Sequence, residues 1–316
     1  MASIVLTQGS SGAPTCNGVD GSMTAIMRWA LPQKSWAEEY GGGSGNVAVF
    51  RAASGNRRRL QVNHAAATSG NARFAVFRGA EDATSSTSLT DPFPTVAQVA
   101  ETSCNMMLSS TADATARDYI VIVDDTWFLF LVKYNGTYWD FCFFGDPPGA
   151  ESGDTWATCI IHRNNASASY AYGASSWTAY SDSSAFNYAV MWARDRSGTT
   201  KSTTGVLHSQ GFGSSNYQPA ARSGYGNQVR REKVAIDCSG NATTTANAMR
   251  YTRRGWLPHL WSLMHSGLGA VNVGDVLQDT VYNASASFLV VAGNTTSGTR
   301  IGILETSAAT WAPPGG

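Results

Sequence analysis

Residues 118–162 are DYIVIVDDTWFLFLVKYNGTYWDFCFFGDPPGAESGDTWATCIIH, the most strongly patterned stretch of the chain. Four apolar, aromatic and β-branched runs are separated by turn chemistry, the pattern of an antiparallel meander. Asn135-Gly136 is the strongest hairpin signal, because both residues tolerate positive φ and a type I′ turn matches strand twist. Asp124-Asp125 is a second candidate for a two-residue turn, and the Gly- and Pro-rich stretch 145–153 reads as a longer loop. Those turns set an expected register. Val132 faces Trp139, Phe130 faces Phe141 and Phe128 faces Phe143. Val121 faces Phe128, and Tyr119 faces Phe130. Side chains alternate along a strand, so all of these share one uncharged face. The other face carries Ile120, Ile122, Trp127, Leu129, Leu131 and Cys142, with Lys133, Tyr138 and Asp140 near the Asn-Gly end. Two apolar faces imply a middle layer of the fold or a sheet covered by another subunit.

Around this stretch the chain reads as mainly β, an antiparallel sandwich or barrel with one short N-terminal helix and long loops. The 316 residues suffice for a substantial core. Residues 1–21 are expected as an extended arm with a short Ile4-Val5-Leu6 strand, and 22–316 as a single β-rich domain carrying a polar loop insert at 165–230. Met23, Ile26, Met27, Ala30 and Leu31 follow helical spacing, with Asp20 or Ser22 as cap and Pro32 ending the helix. Strands are expected at 47–51, 58–64, 72–79, 186–194, 201–209, 233–238, 279–282, 288–291 and 300–305. Residues 84–110 read as loop with a helical turn at 96–100, and 249–265 as an irregular segment. Gly41-Gly42-Gly43-Ser44-Gly45 lacks the Lys-Ser/Thr of a phosphate loop and reads as a flexible turn.

Net charge is formally zero, and charged residues make up only 14% of the chain, well below the usual quarter. Nothing global attracts nucleic acid or a membrane surface, and no run reaches transmembrane length. Arg57-Arg58-Arg59 reads as a solvated turn, having no aromatic platform or wider basic stripe. No charged-then-apolar leader opens the chain, so synthesis in a reducing cytoplasm is expected. Lys34, Lys133, Lys201 and Lys233 are the four lysines. A weakly charged, lysine-poor and aromatic-rich chain suits life packed in an assembly. On residue type, the candidate interface residues are Trp127, Tyr138, Arg253, Arg254, Trp256 and Trp261.

Catalytic signals are sparse. The five cysteines and five histidines are scattered, without disulfide or metal-ligand spacing. No nucleophile elbow or zinc-protease motif occurs. Asp140, Asp146, Glu151 and Asp154, with Asp124 and Asp125, sit mostly at turns, where Asp is favoured for backbone hydrogen bonding. A glycosidase would instead need two acids across a cleft, beside exposed aromatics such as Trp127, Trp139, Trp156, Trp256 or Trp261. The expectation is no catalytic residue, no metal and no cofactor.

Several patches together resemble a family of tailed-bacteriophage virion proteins of about 300 residues. They are SSTADATARDYIVIVDD at 109–125, FLFLV at 128–132, CFFGDPPGAESGDTWAT at 142–158, RGWLPHLW at 254–261, the Met264-His265 pair and ILETS at 303–307. The helix near 23–31 with Trp36, and Asp91-Pro92-Phe93-Pro94, also resemble it. Departures are the polar stretch 170–226 and His259, where the family pattern has Gly. The resemblance implies a non-enzymatic structural protein of the virion, assembled in the bacterial cytoplasm, in the tail or the neck/baseplate. Its partners would be copies of itself and other virion proteins. A capsid decoration protein, and a tail-end protein that binds or cleaves a host surface glycan, are the alternatives.

Overall fold

The computed structural model describes residues 3–69, 72–93, 105–136, 139–163, 189–194, 200–204, 207–209, 230–239, 251–264, 274–278, 286–292 and 300–307. The expected helical turn at 96–100, the strand at 279–282 and most of the polar insert lie outside them. The chain is mainly β, with antiparallel sheets and one short α-helix, and no sheet closes into a barrel. It opens with β1 (Ile4–Thr7), α1 (Ser22–Ala30) and a 3-10 turn at Leu31–Lys34. Strands β2 (Ala37–Tyr40), β3 (Val47–Arg51), β4 (Arg59–Ser69), β5 (Ala72–Ala83), β6 (Leu89–Phe93) and β7 (Asn105–Ser109) follow. The meander supplies β8 (Tyr119–Val123), β9 (Trp127–Lys133), β10 (Trp139–Gly145) and β11 (Cys159–Arg163). Then come β12 (Ala189–Arg194), β13 (Thr200–Thr204), β14 (Leu207–Ser209) and β15 (Arg230–Ser239). The described strands end with β16 (Tyr251–Met264), β17 (Val276–Gln278), β18 (Ser287–Ala292) and β19 (Arg300–Glu305).

The sequence reading drew one domain over 22–316, whereas the chain divides into two compact units. One comprises Met1–Pro147, Glu151–Ala168 and Val190–Thr203, and the other Pro148–Ala150, Ser169–Ala189 and Thr204–Gly316. The first unit holds a seven-stranded sheet, β1-β8-β9-β10-β11-β12-β13, and a sheet ordered β2-β3-β4-β5-β6 with β7 also on β5. The second holds β14-β15-β16-β19-β18-β17. The expected strand at 201–209 is therefore split: Thr200–Thr204 stays with the meander sheet, while Leu207–Ser209 pairs with β15.

The meander is present, but its register differs from the expected one. Phe144 faces Phe128, Cys142 faces Phe130 and Asp140 faces Val132. Val123 faces Phe128, Val121 faces Phe130 and Tyr119 faces Val132. The first turn is centred on Asp125-Thr126, closed by the Asp124 N–H to the Trp127 carbonyl at 2.9 Å. Asn135-Gly136 does not form a two-residue hairpin. Among the described residues the β9–β10 pairing ends at Lys133 and Trp139, and Gly136 N–H closes a turn onto the Lys133 carbonyl at 3.2 Å. A slip of one residue moves a strand's side chains to the opposite face. Trp139, Phe141 and Phe143 thus join Trp127, Leu129 and Leu131, and Phe143 stacks on Trp127 at 6.2 Å.

On the other face Phe144 and Phe128 pack together at 6.3 Å, and Trp36 meets both edge-on. Phe93 of β6 stacks on Phe144 at 6.4 Å, which joins the two sheets of this unit in a sandwich-like arrangement. Gly79 of β5 faces Phe93, and a Cβ there would run into the Phe93 ring. Along β8, β9 and β10 every residue but Lys133 is buried within the chain. Each such large apolar side chain contributes about 1.5–3 kcal/mol relative to exposure. No bare apolar flank of these three strands is left for a second subunit to cover.

Two other expectations change. Residues 84–110 contain β6 and β7, because Leu89–Phe93 and Asn105–Ser109 both find a partner edge on β5. Residues 249–265 are not irregular: β16 runs for 14 residues, pairing with β15 and β19. Gly255 and Pro258 disguised it. The partners Val234↔Leu257 and Lys233↔Trp261 leave Pro258, His259 and Leu260 as a bulge, which absorbs the proline at a point outside the ladder.

The N-terminal stretch lies along its own unit instead of standing free as an arm. Ile4–Thr7 is an edge strand on β8. Cys16 bridges Arg117, Gly18 N–H reaches the Asp113 carbonyl at 2.9 Å, and the Tyr119 hydroxyl donates to the Pro14 carbonyl at 2.8 Å. Neither edge strand nearest the N-terminus is left plain. Thr7 has its N–H bonded to Ser10 Oγ and its carbonyl to Ser10 N–H, and β2 carries a bulge at Glu39. Such features discourage edge-to-edge pairing.

Helix α1 buries Met23, Ile26, Met27 and Ala30 as its spacing predicts. Neither Asp20 nor Ser22 caps it. The N-cap is Gly21 at φ 86, with no side-chain cap of its own. The open Met23 N–H is taken by Nδ1 of His64, from β4, at 3.2 Å. That bond requires an unprotonated Nδ1, so the ring carries its proton on Nε2. His64→Ala is expected to cost about 2 kcal/mol, a lost cap plus a buried hole. His64→Asn should recover part of it in chemical denaturation, since the amide oxygen can still accept.

Candidate functional site

The six candidate interface residues fall in three places. Trp127 opens β9 and is only 4% exposed, stacked against Phe143. Trp256 and Trp261 share β16 in the other unit. Trp256 is also 4% exposed, and its N–H donates to the Pro148 carbonyl at 2.9 Å. Trp261 is half-buried and donates Nε1–H to Glu305 Oε2 at 2.8 Å. Arg253 and Arg254 lie on β16 with side chains outside the described set, and Tyr138 lies outside the described residues altogether. The rings of Trp127 and Trp256 are spent inside the chain and offer no surface to a partner.

In the second unit β16 and β19 bring the RGWLPHLW and ILETS stretches together. Leu260 faces Leu304 and Trp261 faces Ile303. His259, in the bulge, has φ 60, the left-handed conformation a glycine takes most easily. Its Nδ1 sits 3.1 Å from the Glu305 carbonyl oxygen. Burial pushes the imidazole down to about 4, with the Glu305 carbonyl partly opposing it. Glu305, itself 7% exposed, therefore ties the bulge to β19 through both main chain and side chain. Beneath it Ala286, Phe288, Val290 and Ile303 form a core with Trp261 and Leu277 against it.

In the first unit the acids at the turns act as clasps. Asp146 accepts the Asn56 N–H at 2.6 Å, the Asn56 side-chain amide at 3.2 Å and the Thr158 hydroxyl. Its own N–H donates to the Thr126 carbonyl at 3.0 Å. One residue thus gathers three places: its carboxylate holds the turn before β4 and the start of β11, and its backbone N–H holds the β8–β9 turn. Asn56 reaches the Asp154 carbonyl at 3.1 Å, and Asp154 Oδ1 accepts the Trp156 N–H at 2.9 Å. Arg58 lies over the Trp156 ring at 5.0 Å and pairs with Glu81, so the residue is held by neighbours and is not a solvated turn. Asp146 and Asp154 are among the acids a carbohydrate-cleaving reading would use, and the half-buried Trp156 beside Asp154 in sequence has Arg58 over its ring.

Burial raises the Asp146 carboxyl above its usual range, opposed by the Asn56 and Thr158 bonds and by Arg58. A carboxyl raised on folding binds its proton more tightly in the folded chain, so its contribution is favourable at low pH and is lost as pH rises through the folded value. Wild type should therefore gain stability over Asp146→Asn when pH is lowered from neutral toward 4. Denaturant midpoints of the two proteins across that range check this. A gap that stays constant would refute it.

Sequence reading did not find two further clusters. Glu38 receives three forked bonds from Arg28, at 3.0–3.2 Å, and the Gly43 N–H at 3.3 Å. Arg28 also bonds the Gly45 carbonyl at 2.8 Å. The glycine run is therefore a hairpin loop wrapped around the protein's own Glu38 carboxylate. The Glu39 bulge meets Arg51 at 2.7 Å and Arg59 at 3.0 Å, and Arg59 continues to Asp82 at 2.9 Å. This makes a charge ladder across four strands. Only the adjacent acids and the bulge-prone sheet edge hint at it in sequence, because its partners lie on separate strands.

Among the described residues no group of three or more His, Cys, Asp or Glu side chains gathers as a metal site would. Cys16, Cys142 and Cys159 are buried free thiols, and burial pushes the Cys16 thiol up to about 12, so it stays protonated. No protein-family model matches the chain, and no curated protein matches it.

Proposed function

We propose that this chain is a non-enzymatic structural component of a tailed-bacteriophage virion, in the tail or the neck/baseplate, acting by subunit packing. The observation that carries the reading is the meeting of RGWLPHLW with ILETS. Two of the sequence patches that resemble the phage family pair as neighbouring strands and are tied together by Glu305 to Trp261 and His259. A pattern whose members hold each other in register is what a shared building block would keep. The low charge content and four lysines support life among close neighbours. With the meander faces buried and the edges at β1 and β2 blunted by Ser10 and the Glu39 bulge, the packing surface would fall to loops and turns.

The test is to purify the virion, identify this chain in it by mass spectrometry, and place it by antibody labelling in the electron microscope. A fixed copy number at the tail, neck or baseplate is expected. Labelling over the capsid shell would transfer the protein to the decoration class. A chain absent from the particle, or a stable free monomer that cleaves polysaccharide, would overturn the proposal.

A further inference from the structure

The sequence holds two Asn-Gly pairs, Asn17-Gly18 and Asn135-Gly136, and the fold treats them oppositely. Gly18 is buried, its N–H donates to the Asp113 carbonyl at 2.9 Å, and a Cβ there would run into the Thr111 carbonyl oxygen. Asn17 Oδ1 is held over the chain by the Val19 N–H at 2.9 Å, and Asn17 N–H and carbonyl both bond Ser22 Oγ. Gly136 is exposed at φ 79 with nothing within 4 Å of where a Cβ would stand. Its N–H donates to the Lys133 carbonyl in a turn bond of 3.2 Å.

We infer that Asn135 is a site of spontaneous deamidation in the folded protein, while Asn17 is kept inert by its surroundings. The Gly136 backbone nitrogen gives up its proton to hydroxide and attacks Asn135 Cγ. The bond from Cγ to the side-chain nitrogen breaks and ammonia leaves. Water then opens the five-membered imide at either carbonyl, giving aspartate or isoaspartate. Glycine presents no side chain to hinder the approach. Opening one exposed turn bond costs far less than freeing a buried, bonded glycine. The product places a carboxylate two residues from Lys133 in a chain with no net charge. The isoaspartate form also adds a backbone carbon to the β9–β10 connection. The protein therefore acquires charge with age at one defined turn.

The experiment incubates the folded protein in warm, mildly alkaline buffer and follows each Asn-Gly peptide by mass spectrometry, with enzymatic detection of isoaspartate. A parallel sample is kept in denaturant. The folded protein should gain acid at Asn135 at roughly ten times the rate at Asn17 or more, as local protection of Gly18 requires. In denaturant the two rates should converge. Asn135→Gln, a change at a turn, should abolish the fast signal in folded protein. Equal rates at the two sites in the folded chain would overturn the inference. So would an unchanged Asn135 over a time in which the denatured chain converts.

Discussion

Gly145→Ala should unfold the first unit or leave it barely stable. Gly145 ends β10 at φ 130, directly opposite Trp127. A Cβ there would lie 2.5 Å from Trp127 Cα and 2.7 Å from Trp127 Cβ, and closer still to the Thr126 carbonyl oxygen. These are backbone and near-backbone atoms of the paired strand, so no side chain can swing aside. The alanine must push β9 and β10 apart at the point where Asp146 begins its clasp on Asn56. A loss of about 4 kcal/mol or more is expected, a large part of the 5–15 kcal/mol that holds a typical domain. Gly136→Ala is the control. Its φ is 79 but its surroundings are open, so only the left-handed penalty of about 1–2 kcal/mol applies. Denaturation curves of both variants check the contrast. Equal losses would show that strain in φ, and not the opposing strand, makes position 145 a glycine.

The second unit should carry an acid sensitivity of its own, lodged in His259. In the unfolded chain the imidazole takes a proton near 6.5, and in the folded chain only near 4. Between those values the unfolded chain binds the proton and the folded one does not, so acid favours unfolding. The full interval is worth roughly 3 kcal/mol, present above 6.5 and gone below 4. His259→Asn removes the titration while tolerating positive φ, and its amide can donate to the Glu305 carbonyl. The variant should lose less stability than wild type as pH falls from 7 to 4, read as a difference in denaturant midpoint. Parallel pH profiles would refute the assignment. The sign is opposite to that at Asp146, where wild type gains over its variant on acidification.

The clusters that shape the two units were largely illegible beforehand, for one reason. Asn56 and Asp146 are 90 residues apart, Met23 and His64 are 41 apart, and Trp261 and Glu305 are 44 apart. Sequence pattern reports the period of a segment and the chemistry of a turn. It does not report which distant segment will supply a missing donor. The helix could be read from Met23, Ile26, Met27 and Ala30, but its cap could not, because the acceptor comes from β4. The strand at β16 was hidden by Gly255 and Pro258, since the register shifts, one beside Gly255 and one that takes up Pro258, are properties of the pairing and not of the segment.

By itself the sequence determined that this protein is a β-rich chain with one short helix, and that residues 118–162 form an antiparallel meander buried on both faces. Alternation, β-branched and aromatic runs and turn residues are local, and they suffice for that. Only the tertiary structure decided the register. A sheet with one apolar face punishes a one-residue slip by exposing its core, so its pattern specifies its pairing. Here both faces are apolar, and Phe141 and Phe143 would be buried on either side. The choice fell to contacts with other segments: Gly145 where Trp127 leaves no room for a side chain, Asp146 on Asn56, and Phe144 beneath Trp36 and Phe93.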